Sequence, residues 1–213
     1  MVMIFLGGKI MSNKIDLYCM AYQDRSDRVR WLLEEMNVPY TNHFLDKTRG
    51  DMNSLNYRAL NPMGRVPTIV DGEIILNESA AICTYLADRY SYGKLAPKIE
   101  DIKLRAEYTK WMHFSTGSLE CVIARMFTHV NTLSEKEITY KFVAEQCEIF
   151  KLALNPILSK QDYILPTGLS AADIMLATII PGAMDFLVKG NPPLEKYMDR
   201  MMNREAAIKA KVF

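Results

Sequence analysis

The stretch ALNPMGRVPTIVDGEIILNESAAI, residues 59–82, decides the fold. It reads in order as a loop, a strand, a tight turn, a second strand and the opening of a helix. Pro67 has no N–H to give a sheet, and an X-Pro bond is the peptide bond at which the cis form costs little. A cis Val66–Pro67 bond is expected to turn the Val66 amide and carbonyl outward at the head of the first strand. An extended, peptide-like ligand can pair with them there. Asp71-Gly72 suits a two-residue hairpin turn. Beyond it Ile74, Ile75 and Leu76 run apolar, and Asn77, Glu78 and Ser79 open a helix carrying Ile82, Tyr85, Leu86 and Arg89 at helical spacing. The free amides of that helix start, with the Ser79 hydroxyl, suit a carboxylate, and Glu78 suits an ammonium group.

Upstream, Lys14 to Met20 alternates as a strand does, with Ile15, Leu17 and Cys19 on one face. Ser26, Asp27 and Arg28 read as a helix entry. Val29, Leu32, Leu33 and Met36 form its apolar stripe, which ends near Asn37 and Pro39. Tyr40 to Leu45 is a second strand. A βαβ unit followed by a ββα unit is the thioredoxin-like order. Residues 49–60 read as a short irregular helix and loop, mobile and bordering the ligand site.

Residues 91–100 carry a Gly and a Pro and read as a linker. From Asp101 onward only helical periods occur, over 102–129, 134–158 and 170–186, with two shorter helices after Pro193. The expected organisation is a thioredoxin-like unit at 14–90 and an all-helical bundle at 101–213. Residues 1–13 are expected to be an over-extended start or a disordered arm. Ser170 with Asp173 forms a capping box ahead of Ile174, Met175 and Leu176, a folding element to which no chemistry is assigned.

The 213 residues are 49% hydrophobic and 24% charged, enough for a core without staples. Lys and Arg number 26 against 25 Asp and Glu, so no field argues for nucleic acid or an acidic membrane surface. Cys19, Cys83, Cys121 and Cys147 are scattered, without CxxC or histidine at ligand spacing. That pattern favours a reducing compartment and argues against a metal site and a dithiol centre. No apolar run approaches the roughly 18 residues of a membrane span, and the start lacks a secretory pattern. A cytoplasmic location is expected.

The Val-Pro strand followed by the Glu-Ser helix start resembles the cytosolic glutathione S-transferase family, bacterial type. RSDRVRWLLEE (25–35) and WMHFSTGSLE (111–120) are similar to its first and fourth helices, and the fit runs from Lys14 to Arg204. The resemblance implies a transferase that joins the glutathione thiolate to small hydrophobic electrophiles. Glutathione is then the co-substrate, with no cofactor or metal, in a homodimer that pairs the Glu78 helix and Arg89 region with the partner's long helix. It implies glutathione binding by Val66, Glu78 and Ser79, with Arg65 near the glycine carboxylate, and a second-substrate pocket at Met112, His113, Phe114 and Arg125.

The sulfur-activating group departs from the family pattern, because Gln23, Asp24 and Arg25 stand where relatives carry a Ser or Cys. Ser26 and Tyr22 are the leading candidates, and Tyr18 and Cys19 also remain. Alternatives on the same scaffold are a glutathione-dependent isomerase, peroxidase or thiol-transfer reaction and a non-catalytic adaptor.

Overall fold

In the computed structural model, which describes residues 14–127 and 132–213, the alternation of Ile15, Leu17 and Cys19 becomes the buried face of β1 (Ile15–Cys19). The arm expected at 1–13 and the last two residues of the helix predicted to reach His129 lie outside the described residues. Helix α1 (Ser26–Met36) buries Trp31, Leu32 and Leu33. It stops at Asn37, whose left-handed backbone turns its N–H onto the carbonyls of Glu34 and Leu33. Strand β2 (Tyr40–Phe44) then pairs parallel to β1. A 3₁₀ turn (Asp51–Asn53) and the short α2 (Leu55–Leu60) lead to β3 (Thr68–Asp71) and β4 (Ile74–Asn77). The sheet runs β2-β1-β3-β4, parallel between β1 and β2 and antiparallel elsewhere.

The hairpin register pairs Asp71 with Ile74, so its two-residue turn is Gly72–Glu73 rather than Asp71–Gly72. Gly72 takes φ 63°, where a glycine costs nothing. Asp71 stays in the strand, and its buried carboxylate accepts from the Tyr85 and Tyr90 hydroxyls at 2.8 and 2.7 Å. Both tyrosines lie on α3 (Ser79–Tyr90), which completes the thioredoxin-like βαβ-ββα order.

Every regular element described after α3 is a helix or helical turn. Helix α4 (Ile102–His113) runs on through a π-helical stretch (Phe114–Glu120), the single turn α5 (Cys121–Ile123) and a 3₁₀ turn (Ala124–Phe127). Next come α6 (Leu133–Leu158), α7 (Ala171–Ile179), α8 (Pro192–Met202) and α9 (Glu205–Ala210). α7 packs against α1, α3 and α4, so one core serves both halves. Contrary to the expectation that no apolar run is long enough, Ala171–Val188 has the length and mean hydropathy, 1.6, of a membrane span. The fold buries 67% of it as the centre of this core.

The Ser170 box does more than cap α7. The Asp173 carboxylate accepts from the Ser170 N–H and Oγ, both at 2.9 Å, and from the Ile164 N–H at 2.7 Å. The Tyr197 hydroxyl of α8 donates to it at 3.3 Å. Three segments are thereby fastened to one side chain. At the other end of the helical half, α9 lies along α1. Arg204 meets Glu35 at 2.8 Å, Lys209 meets Glu34 at 2.6 Å, and the Phe213 ring stands edge-on to Trp31 at 5.6 Å.

Candidate functional site

The Val66–Pro67 peptide is cis. Pairing of Thr68 with Asn77 brings Val66 and Pro67 alongside Glu78 and Ser79 on the opposite strand of the hairpin. Among the described residues neither the N–H nor the C=O of Val66 has a hydrogen-bond partner. The loop bearing it is fastened from behind. The buried Asn61 donates through Nδ2 to the Arg65 carbonyl at 2.7 Å and to Thr68 Oγ1 at 3.1 Å, and the Tyr57 hydroxyl joins the same two groups. Gly64 (φ 60°) is required for its closeness, since a Cβ there would stand 2.7 Å from the Met52 carbonyl oxygen. Glu78 caps α3 with φ 70° and ψ 109°, a conformation that costs a non-glycine residue on the order of 1–3 kcal/mol. Such a cost at the head of a groove marks a position held for its geometry.

Ser79, buried at the first position of α3, accepts from Arg28 Nη1 at 3.1 Å. Arg28 itself is only 4% exposed. Its Nη1 and Nη2 grip both oxygens of Glu120 at 3.0 and 2.8 Å, and its Nε reaches Thr178 Oγ1 at 3.2 Å. One guanidinium thus ties together α1, α3, the π-helical stretch and α7. Glu120 also receives Arg25 Nε at 2.7 Å. Burial pushes the Glu120 carboxyl up, but the hydrogen bonds and charge of Arg28 and then Arg25 outweigh it and hold it below the usual carboxylate range.

Beside this cluster a cleft of about 710 Å³ opens between the halves. Its floor is polar, with Gln23, Arg25, Glu120 and Thr178. Its walls are apolar, with Ile123, Phe127, Met184, Met202 and Phe213. Gly182 lets one wall close up, since a Cβ there would stand 2.7 Å from Ile123 Cγ2. A slightly larger groove, about 820 Å³, lies between the α6–α7 connector and α8, far from Arg28 and without comparable buried polar groups. The chemistry, rather than the volume, picks out the first.

The residues expected at the sulfur are placed differently. Ser26 is not the cap: Arg25 is the N-cap residue of α1, and Asp24 accepts from the first free amides, through Oδ1 from the Ser26 N–H at 2.5 Å and through its carbonyl from the Asp27 N–H at 3.1 Å. Ser26 is fully buried and its hydroxyl has no partner, so it does not face the cleft. Tyr22 is 41% exposed, yet its ring lies against Arg30 at 4.9 Å and Lys211 at 5.3 Å, with Phe44 beside it. Tyr18 stacks on His43 at 4.7 Å. Cys19 is fully buried, and burial foremost pushes its thiol up to about 11, the wrong direction for a nucleophile. Of the loop before α1, Gln23, at φ 63°, lines the cleft floor together with Asp24 and Arg25.

Arg65, Val66, Glu78 and Ser79 are brought together. The four residues expected to line the second pocket are not. Met112 is buried in the core, and Phe114 packs edge-on between Trp111 and Phe150 at 5.1 and 5.4 Å. His113 is exposed, and Arg125 lies over the Phe142 ring at 4.6 Å. α4 packs against α7, and the helix meets the cleft only from the end of the π-helical stretch onward, at Glu120, Ile123 and Phe127. Reading residues without structure also missed Arg28 and Glu120, which lie 92 positions apart. A signal for the first was present. Arg28 stands four residues before Leu32, on the core face of α1, where a cation demands a buried anion.

Residues 25–89 match the family described as glutathione S-transferase, N-terminal domain. Glutathione S-transferase 3 of Schizosaccharomyces pombe is 36% identical over 124 residues, which are 57% of this chain and 50% of that protein. The chain therefore aligns with half the length of that relative. Glutathione S-transferase hmp2 of Hypomyces subiculosus is 28% identical over 195 residues, 86% of this chain and 92% of that one. A solved structure of Ure2p in complex with glutathione shares the fold, with a TM-score of 0.77 and 23% identity over 92% of this chain and 97% of that chain.

Proposed function

The chain belongs to the glutathione S-transferase family through its N-terminal domain, and from that premise we propose that it binds glutathione and joins its thiolate to small apolar electrophiles held in the cleft. The observation that carries the reading is one of position. The Glu78–Ser79 helix start, beside the unpaired Val66 backbone, is joined to the polar floor of the cleft through Arg28, which donates to the Ser79 hydroxyl and itself lines the cleft. In this reading the cysteinyl backbone pairs with Val66. The γ-glutamyl carboxylate sits on the α3 amides and the Ser79 hydroxyl with Arg28 behind them, the ammonium meets Glu78, and Arg65 takes the glycine carboxylate.

The sulfur then lies at the start of α1. Since the Ser26 hydroxyl is sealed in and the Tyr22 ring is turned against Arg30 and Lys211, we assign sulfur activation to the Gln23 side-chain amide. An N–H donated to the thiolate favours the charged form, and only the thiolate attacks carbon at a useful rate. Four free cysteines fit a reducing, cytoplasmic setting, and the exposed Ile74 and Ile75 of edge strand β4 fit a homodimer.

The test is the thiol pKa of bound glutathione, read from thiolate ultraviolet absorbance across pH. Wild type and Ser26→Ala are expected to hold it below the free-thiol value of about 8.5, and Gln23→Ala to return it toward that value. A value indifferent to Gln23→Ala removes the glutamine from the mechanism. An undepressed wild-type value rejects the transferase reading in favour of an adaptor.

A further inference from the structure

We infer that the groove of about 820 Å³ between the α6–α7 connector and α8 is a second ligand site, separate from the cleft, and that it takes a phosphate monoester carried on a flat ring. The inference is independent of the transferase reading. The groove is preformed. Arg200 of α8 joins its two sides, donating through Nη1 to the Asp162 carbonyl at 2.7 Å and through Nη2 to Asp162 Oδ1 at 2.5 Å. On the connector, Gln161 Nε2 holds the Tyr163 carbonyl at 2.7 Å, and the N–H of the next residue, Ile164, is tied to the buried Asp173 carboxylate at 2.7 Å. Pro166 on one side and Pro192 and Pro193 on the other give rigid apolar walls, which lose no side-chain entropy when a ring settles on them. A preformed pocket of this size, with apolar walls and a few charged groups, has the usual form of a small-molecule site.

Charge decides what that molecule carries. The lining holds three cations, Lys160, Lys196 and Arg200, against one carboxylate, Asp162, a surplus of two in a chain whose formal charge is +1. The acids of α8 do not line the groove: Glu195 accepts from the Gly190 N–H at 2.8 Å and Asp199 from Asn203 Nδ2 at 3.0 Å. Arg200 commits both terminal nitrogens to Asp162, whereas Lys160 and Lys196 are exposed and have no partner among the described residues. What is left free is a pair of ammonium groups, point charges without a fork. A lone carboxylate neutralises one of them, while a phosphate monoester, close to two negative charges at neutral pH, matches both. The start of α8 cannot take over this role, since Pro192 and Pro193 open it and bring no N–H. A bare phosphate ion leaves the proline walls uncovered, so the walls call for the ring.

The experiment is titration calorimetry of the whole chain at low salt with adenosine monophosphate, adenosine and inorganic phosphate. The nucleotide is expected to bind at least about tenfold more tightly than either of its parts. Lys160→Gln/Lys196→Gln weakens it about tenfold or more, while Lys141→Gln, which removes an equally exposed and unpartnered lysine from α6, changes it less than about twofold. The nucleotide also raises the Tm of wild type but not that of the double variant, whose ligand-free Tm, equal to that of wild type, identifies it as folded. Binding that is indifferent to the double substitution overturns the inference, and so does competition by glutathione, which places the nucleotide in the cleft. Adenosine binding as well as the nucleotide shows that the charge is not read, and phosphate binding as well shows that the ring is not; either result overturns it. Wild type that takes up no nucleotide at about 5 mM overturns it outright.

Discussion

Replacing Glu120 by glutamine removes the charge that pairs with Arg28, the side chain that ties four segments together, while keeping the side chain's shape. The Arg28 side chain is 5% exposed and that of Glu120 is 17%, so water screens the pair poorly. Removing one partner of a buried ion pair costs about 3–5 kcal/mol, because the other charge is left uncompensated. Here glutamine keeps one acceptor oxygen, and Arg28 keeps Ser79 and Thr178, so we expect a loss at or just below the bottom of that range, about 2–3 kcal/mol. For a chain of this length that is roughly 5–10 °C in Tm.

Urea denaturation of wild type, Glu120→Gln, Glu120→Leu, Arg28→Met and the Arg28→Met/Glu120→Leu pair completes the measurement. Removing both charges is expected to cost less than the sum of the single losses by at least about 1 kcal/mol. Because the Glu120 carboxyl is held below its usual range, its share of stability is present above the unfolded-state carboxylate pKa, about 4.3, and is lost as pH falls through the lower folded value. A loss below about 1 kcal/mol for Glu120→Gln, or strict additivity in the cycle, would refute the reasoning.

Asp173 should behave in the opposite sense. Burial foremost raises its carboxyl from 3.8 to about 6, so its contribution is full below the unfolded value and about 3 kcal/mol of it is lost as pH rises through 6. The stability difference between wild type and Asp173→Asn, followed by urea melts from pH 4 to 7, should shrink accordingly, and a flat difference would contradict it. Ser79→Ala is expected to weaken glutathione binding by about 1–3 kcal/mol; calorimetry showing an unchanged Kd would take Ser79 out of the site. Gly182→Ala forces a methyl to 2.7 Å from Ile123 Cγ2, costing about 1–3 kcal/mol of stability. It should also raise KM for the electrophile while leaving glutathione affinity alone, and equal effects on both ligands would show that the wall does not belong to the second pocket.

What could be read in advance was the part of the site made by local backbone. Val66–Pro67, the hairpin and the Glu78–Ser79 helix start lie within fourteen consecutive residues, and turn chemistry and strand alternation suffice to order them. The cleft walls were illegible for the converse reason. Arg28 and Thr178 meet across 150 positions, and a π-helical stretch, which leaves no periodic mark, decides that Glu120 rather than Met112 reaches the floor. Ser26 was misplaced by giving its polarity more weight than its phase. It precedes Val29 by three residues and Leu33 by seven, so it belongs to the apolar stripe and turns inward with it.

The seam between α1 and α9 has a consequence for how the chain is made. Glu35 and Arg204 are 169 residues apart, so at about 5–20 residues per second a ribosome delivers the second roughly 10–30 s after the first. Through that interval the side of α1 that carries Trp31 lacks its last helix. The sheet and its first helix can assemble early, but an apolar flank stays open until nearly the whole chain has emerged. Exposure during synthesis, rather than any weakness of the finished fold, is then the moment at which this protein most needs a chaperone.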